Sequence, residues 1–139
     1  MIRRGYGHSI KLLLVDDEED FLESMSSALL RRKITVTPAR NGREALELLE
    51  LNTYDVAVVD LKMPVMTGEA LFKEIKKKLP NLPVIIVTGH GTHKQVGEFS
   101  KQGVYYYLAK PCDVESLAEL ARQSVDSEWQ KWRRRLNFY

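Results

Sequence analysis

Five polar residues stand where they could share one chemical site. Asp16 and Asp17 follow the apolar run IKLLLV, Asp60 follows VAVV, Thr88 ends PVIIVT, and Lys110 follows VYYYLA. If these runs are strands of one parallel sheet, their carboxyl ends meet at the same edge. Three carboxylates at that edge would repel one another, and a bound cation would relieve the repulsion.

The chemistry of this set indicates a divalent cation and a phosphoryl group. Mg²⁺ prefers hard oxygen ligands and is usually bound by one or two carboxylates together with phosphate oxygens. Beside such an ion, the carboxylate of Asp60 is a competent nucleophile toward phosphorus. The Thr88 hydroxyl and the Lys110 ammonium would contact the phosphoryl oxygens. The sequence contains no HExxH, paired-cysteine or P-loop spacing, so neither a transition-metal site nor a nucleotide cradle is predicted.

The same runs predict the elements that position these residues. Strands are predicted at five places, namely 10–15, 34–37, 55–60, 83–88 and 104–109. Helices are predicted between and after them, at about 18–32, from Asn41, from Thr67 to Pro80, at about 93–101, and from Asp113. Within the last strand, Tyr105 and Tyr107 are predicted to share one face of the sheet and Tyr106 to take the other.

Strict alternation of strands and helices predicts an α/β fold with a parallel sheet covered on both faces. The continuous runs IKLLLV and PVIIV fit this arrangement, because strands buried on both sides lose the polar alternation. Five βα units favour the flavodoxin-like, doubly wound three-layer sandwich with strand order 2-1-3-4-5.

Composition bounds the class of protein. A chain of 139 residues with 44% hydrophobic and 29% charged residues fits one globular domain. No apolar stretch approaches the roughly 20 residues that span a bilayer, so a cytoplasmic protein without a membrane partner is expected. Residues 1–11 and 127–139 each carry a net charge of +3, so the total of +2 leaves −4 between them. Nucleic-acid-binding domains concentrate cations on the folded body, so direct nucleic-acid binding is not expected.

We divide the chain into an N-terminal arm (1–9), a main domain (10–126) and a basic, tryptophan-containing helical extension (127–139). A 4-3-4 spacing continues the last helix to about Leu136 through Val125, Trp129 and Trp132. The tryptophans could pack on the domain, form a dimer seam or begin a linker to an effector. We favour self-association.

Four blocks, LLLVDDEED, VVDLKMPVMTG, VIIVTGHG and YYYLAKP, resemble in order and spacing the signature blocks of response-regulator receiver domains. The resemblance covers about residues 10–126. It implies a signalling switch in a two-component phosphorelay, in which Asp60 accepts a phosphoryl group from a sensor histidine kinase or a phosphotransfer protein. Such a chain catalyses only its own phosphorylation and autodephosphorylation.

The resemblance also implies a role for each site residue. Asp17, Asp60 and the backbone carbonyl of Lys62 would hold Mg²⁺, and Asp16 would join through metal-bound water. Thr88 would hydrogen-bond the phosphoryl group and Lys110 would pair with it. The bond from that lysine to Pro111 would be cis.

Two further properties follow from the resemblance. Movement of Thr88 toward the phosphoryl group would be coupled to Tyr107, three residues before the lysine. This would reshape the face made by the fourth predicted helix, the fifth strand and the fifth predicted helix for partner binding or dimerisation. Lys62 and His90, each two residues past a site residue, would tune the phosphoryl lifetime.

Two other classes of function remain possible from the residues alone. One is a binding module that works without phosphorylation, against which the intact acidic set argues. The other is an enzyme of similar fold. A flavin carrier would need a Ser/Thr-rich phosphate loop where DDEED stands, and an aspartate-based phosphatase would need a second aspartate where Lys62 stands.

Overall fold

The structure is a computed structural model that describes residues 9–89, 97–98 and 101–135. Five strands form one sheet: β1 (Ile10–Val15), β2 (Ile34–Ala39), β3 (Val56–Val59), β4 (Val84–Thr88) and β5 (Tyr106–Ala109). The sheet order is β2-β1-β3-β4-β5, and every neighbouring pair is parallel. The predicted fold class and strand order are therefore confirmed.

Among the described residues, four helices of ten or more residues accompany the strands: α1 (Glu19–Leu30), α2 (Gly42–Leu51), α3 (Gly68–Lys78) and a C-terminal helix (Val114–Arg135). Most of the helix predicted at about 93–101 lies outside the described residues. Residues 97–98 and 101, which belong to it, are helical. Within the described part of the chain, no helix is both long enough and apolar enough to cross a lipid bilayer.

The predicted N-terminal caps of three helices are present. Asn41, Thr67 and Asp113 each accept a hydrogen bond through a side-chain oxygen, at 2.8, 3.1 and 2.7 Å, from a backbone N–H three residues ahead. Such caps satisfy amide groups that the first turn of a helix leaves without a partner. The first helix differs, because its N-cap residue is Glu18, whose side chain makes no capping hydrogen bond.

The core lies on both faces of the sheet. Leu13 and Val15 of β1 pack in a cluster with residues of α2 and α3, whereas Leu12 and Leu14 pack with residues of α1 and the C-terminal helix. These four side chains are almost completely buried. The continuous apolar runs predicted strands buried on both sides, and the central strands have that environment.

Two details differ from the sequence prediction. β2 continues through Pro38 to Ala39, and this proline is tolerated because β2 is an edge strand. The prediction that Tyr105 and Tyr107 share a face is wrong, since they pack against opposite core clusters. The physical reason is that β5 begins only at Tyr106, so the two-residue alternation does not include Tyr105.

Candidate functional site

The candidate site lies at the carboxyl ends of the strands. The β1–β3 register pairs Val15 with Val59, and the N–H of the next residue, Asp60, donates to the carbonyl of Val15 at 3.0 Å. On the other side of β1, the N–H of Asp16 donates to the carbonyl of Ala39 at 3.0 Å. The sheet hydrogen bonds therefore continue one residue past the strands and fix the backbone of both aspartates.

Three carboxylates meet at this point. Oxygens of Asp16, Asp17 and Asp60 all lie within 4.8 Å of one another. Asp16 and Asp60 are buried, at 1% and 5% exposed, whereas Asp17 is open to solvent. This donor set consists of hard oxygens with an exposed side for entry, so it fits Mg²⁺.

Asp16 uses both of its carboxylate oxygens. Its Oδ1 accepts a hydrogen bond from the backbone N–H of Glu18 at 2.9 Å, and its Oδ2 accepts one from Lys110 Nζ at 2.6 Å. Burial raises the pKa of Asp16, and these two hydrogen bonds act in the opposite direction without cancelling the effect. The two hydrogen bonds hold the Asp16 carboxylate in place.

Lys110 lies among three carboxylates and an aromatic ring. Its Nζ is 2.6 Å from Asp16 Oδ2, 2.8 Å from Glu18 Oε1 and 3.7 Å from Asp60 Oδ2, and it lies 4.4 Å from the centroid of the Phe21 ring. Burial lowers the pKa of Lys110, but the hydrogen bonds to Asp16 and Glu18 outweigh it, so the pKa is raised. The ammonium is therefore charged at any physiological pH.

Sequence reasoning did not assign Glu18 and Phe21 to the site. Both residues fall within the first predicted helix, at about 18–32, and no role in the site was predicted for either. Both stand within five residues of Asp16 and Asp17, and their spacing of three residues places them on one side of the start of the helix. This spacing is the signal that could have identified them.

The loop after Asp60 folds back on the phosphoacceptor candidate. The N–H of Lys62 lies 3.4 Å from Asp60 Oδ1, and the Lys62 residue is exposed. The N–H of Gly68, at the start of α3, donates to the carbonyl of Leu61 at 2.8 Å. A Cβ at Gly68 would overlap the carbonyl oxygen of Asp60 and lie 2.6 Å from the Cα of Leu61. Gly68 thus permits an approach that no other residue would allow.

Val65, in the middle of this loop, is a backbone outlier. Its φ is 68°, and its side chain is fully exposed. Positive φ is unfavourable for a β-branched residue, because Cβ crowds the backbone in the left-handed region. Sequence reasoning gave no sign of this.

The fourth and fifth strands supply the other predicted residues. Thr88 is buried at the end of β4, and its carbonyl accepts a hydrogen bond from the N–H of Lys110 at 3.0 Å. The peptide bond between Lys110 and Pro111 is cis. The strand ends therefore bring Thr88 and Lys110 to the same edge as the aspartates.

The side chain of Tyr107 lies on the same face of the sheet as α2 and α3. It is partly buried and packs against the cluster formed with α2 and α3. Burial raises the pKa of its phenol, and the negative charge of Asp60 raises it further. The phenol is thus electrostatically coupled to the candidate phosphoacceptor. His90, the remaining predicted site residue, lies outside the described residues.

Known proteins that are similar to this chain include transcriptional regulatory proteins. Transcriptional regulatory protein GlrR of Escherichia coli K12 is 36% identical over 126 residues, which are 88% of this chain and 28% of GlrR. The DNA-binding transcriptional regulator NtrC of the same strain is 38% identical over 112 residues, which are 81% of this chain and 24% of NtrC. The chain spans about a quarter of the length of these curated relatives.

Solved structures give the same result. The crystal structure of a response regulator receiver domain protein from Clostridium thermocellum has a TM-score of 0.82 and 31% identity, covering 87% of this chain and 98% of that chain. A Francisella response regulator receiver domain has a TM-score of 0.80 and 31% identity, covering 86% and 98%. The sequence pattern of the response regulator receiver domain family matches residues 12–122. The chain therefore belongs to this family, the phosphoryl-accepting receivers of two-component signalling.

Proposed function

We propose that Asp60 is the residue that accepts the phosphoryl group. The observation that carries this proposal is the position of its carboxylate, which is 5% exposed, clustered with Asp16 and Asp17, and 3.7 Å from Lys110 Nζ. The donor is a phosphohistidine on a sensor histidine kinase or a phosphotransfer protein, and small acyl phosphates can replace it.

In the transfer, an oxygen of the Asp60 carboxylate forms a bond to phosphorus while the bond from phosphorus to the imidazole nitrogen breaks. The electron pair of that bond leaves with the imidazole. The ammonium of Lys110 and the hydroxyl of Thr88 contact the transferred oxygens and offset their charge. In autodephosphorylation, the oxygen of a water molecule forms a bond to phosphorus while the bond from phosphorus to the Asp60 carboxylate breaks. The phosphoryl group leaves as phosphate, and its negative charge is lost from the site. The protein acts on itself in both steps.

The three carboxylates fit a Mg²⁺ ion. We propose that Asp17, Asp60 and the backbone carbonyl of Lys62 hold it and that Asp16 contributes through water. When bound, the ion neutralises negative charge on the incoming phosphoryl group. The protein's own contribution is to keep Asp16 and Asp60 buried and fixed by sheet hydrogen bonds, so that the acidic cluster is already assembled.

We propose that the signal leaves the site through Thr88 and Tyr107. A phosphoryl group brings up to about two negative charges, and it draws the Thr88 hydroxyl toward it. The phenol of Tyr107, already influenced by Asp60, responds to the same change. The populations of the conformers of the surface around β5 then shift. Lys62 and His90 set how long the phosphoryl group persists.

The partners and boundaries are proposals of the same kind. Besides the kinase, we propose a second copy of the chain, bound through the surface around β5 or through the C-terminal extension (127–139) that follows the main domain (10–126) and the arm (1–9). The side chains of Trp129 and Trp132 lie outside the described part of the structure. Because the phosphodonor is a signalling kinase, we assign the chain to the cytoplasm.

The phosphoacceptor is tested with acetyl phosphate and Mg²⁺, with the products measured by intact mass spectrometry. The wild-type protein is expected to gain one phosphoryl mass, and Asp60→Asn none. Asp55→Asn is the matched control. Asp55 directly precedes β3, at the opposite end of that strand from Asp60, and its carboxylate accepts a hydrogen bond from the N–H of Lys11 at 2.8 Å. Equal adducts in Asp60→Asn and the wild type would show that Asp60 is not the acceptor.

Self-association is tested by sedimentation velocity of the full chain with and without Mg²⁺ and beryllofluoride, which mimics the phosphoryl group. A dimer in either state supports the proposed seam. A monomer in both states at high protein concentration contradicts it.

A further inference from the structure

The Lys110 ammonium lies closer to the residues that join β1 to α1 than to the proposed phosphoacceptor. Its distances to Asp16 and Glu18 are 2.6 and 2.8 Å, whereas Asp60 is 3.7 Å away. The ring of Phe21, in the first turn of α1, adds a cation–π contact at 4.4 Å. Two carboxylates and an aromatic face therefore hold the lysine on one side of the site.

Glu18 is arranged for this contact and not for capping its helix. It occupies the N-cap position of α1 without making the usual side-chain hydrogen bond to the first turn. The backbone N–H of Glu18 donates a hydrogen bond to Asp16 Oδ1, and this bond fixes the backbone from which the Glu18 side chain extends. That side chain is 63% exposed, and it reaches Lys110, whose side chain is only 14% exposed.

We propose that Glu18 is a positioning residue that holds Lys110 away from Asp60 and competes with the phosphoryl group for the lysine ammonium. This inference rests on the proposed role of Asp60. New anionic oxygens on Asp60 would draw the ammonium across the site, and the ammonium would then leave the 2.8 Å contact with Glu18. A contact present before phosphorylation and weakened after it opposes the phosphorylated state.

The expected size of the effect follows from the exposure of the pair. Ion pairs with one solvent-exposed partner are weak, so loss of the Glu18 charge should change the affinity for a phosphoryl mimic by roughly two- to fivefold. The direction is informative, because a residue that helps to bind the phosphoryl group would change the affinity in the opposite sense.

The test uses Glu18→Gln, which keeps the shape of the side chain and removes its charge. Glu19→Gln is the matched control, because Glu19 is the next residue and carries the same charge but pairs with Arg40 at 3.1 Å. Binding of beryllofluoride is measured by calorimetry in saturating Mg²⁺. Glu18→Gln is expected to bind roughly two- to fivefold more tightly than Glu19→Gln.

A second measurement follows the lysine directly. In NMR spectra of the free protein, the ε-methylene signal of Lys110 in Glu18→Gln should be displaced toward its position in the wild-type beryllofluoride complex. Glu19→Gln should leave that signal where it is in the free wild type. A general effect of charge on anion binding would not produce this displacement.

Two results would overturn the proposal. If the wild type binds beryllofluoride and Glu18→Gln binds it no more tightly than Glu19→Gln does, Glu18 does not compete for Lys110. An unmoved Lys110 signal would contradict the positioning role. If the wild type itself does not bind beryllofluoride, the proposed role of Asp60 fails as well, so the two failures are distinguishable.

Discussion

Val65, in the loop after Asp60, combines an unfavourable backbone conformation with a fully exposed side chain. Asparagine tolerates positive φ far better than a β-branched residue. We expect Val65→Asn to raise the free energy of unfolding by about 1 kcal/mol, measured by urea denaturation. Val65→Thr keeps the branch at Cβ and adds polarity, so it should give little or no gain. A gain of equal size in Val65→Thr would contradict the backbone explanation.

The pKa of the Tyr107 phenol should respond to the charge of Asp60. Burial and the Asp60 carboxylate both raise the pKa of Tyr107, so Asp60→Asn should lower that pKa while leaving it above about 10. The measurement is a pH titration of the ring carbon signals by NMR, with Asp55→Asn as a control that should not change it. An unchanged pKa in Asp60→Asn would mean that the two groups are not coupled.

The raised pKa also has a consequence for stability. Above about pH 10, the unfolded chain releases the Tyr107 proton while the native state retains it. The native state then binds more protons than the unfolded state, so this residue makes stability fall as pH rises through that range.

Among single residues, the sequence predicted those whose place depends only on where a strand ends. Asp16, Asp60, Thr88 and Lys110 each follow or end an apolar run, and a parallel sheet brings such positions together. The part played by Glu18 could not be predicted in this way. It depends on the distance between the first turn of α1 and the end of β5, which tertiary packing sets.

At the scale of elements, Gly68 joins the start of α3 to the end of β3. A methyl group there would overlap the backbone of Asp60 and Leu61, and a backbone yields less than a flexible side chain. We expect Gly68→Ala to destabilise the protein by about 3 kcal/mol, measured by denaturant titration, and to slow phosphorylation by acetyl phosphate because Asp60 is displaced.

Gly97→Ala is the control for the preceding variant. The structure places no described atom within 4 Å of a Cβ at Gly97, and the residue is helical. Alanine is favoured over glycine in helices, so this variant should be neutral or more stable by up to about 1 kcal/mol. Equal destabilisation in Gly68→Ala and Gly97→Ala would contradict the explanation that close packing at Gly68 requires glycine.

The elements were predictable to different degrees. Helix starts at Asn41, Thr67 and Asp113 were predicted because an N-cap is a local interaction that the side chain itself makes. The boundaries of β5 were not, because its partner β4 decides where the regular strand begins, and that point is Tyr106, although the N–H of Tyr105 already donates to the carbonyl of Val84 at 2.8 Å.

At the scale of the whole molecule, a cation in the acidic cluster should stabilise the fold, because the unfolded chain has no such cluster. At about 100 times its dissociation constant, Mg²⁺ should add about 2.7 kcal/mol to the free energy of unfolding and raise Tm by several degrees. Removal of the ion with EDTA should reverse the effect, as followed by differential scanning calorimetry.

Asp17→Asn separates this effect from general ionic screening. Asp17 belongs to the cluster but is exposed, so its replacement should lower the affinity for Mg²⁺ without unfolding the protein. Asp20→Asn removes another exposed carboxylate, in the first turn of α1 and outside the cluster, and should keep the full Mg²⁺ effect. An identical rise of Tm in both variants would contradict binding at the cluster.

The sheet order was predictable because alternating strands and helices leave few right-handed arrangements.

The contact between Asp16 and Lys110 joins residues 94 positions apart in sequence. During synthesis, the ribosome therefore makes the acidic pair long before the lysine that offsets its charge. A nascent chain that ends before β5 has its aspartates but lacks the ammonium beside them. On the proposed roles of Asp60 and Lys110, competence to accept a phosphoryl group arrives only once β5 has been made, and a shorter nascent chain should not compete with finished molecules for the phosphodonor.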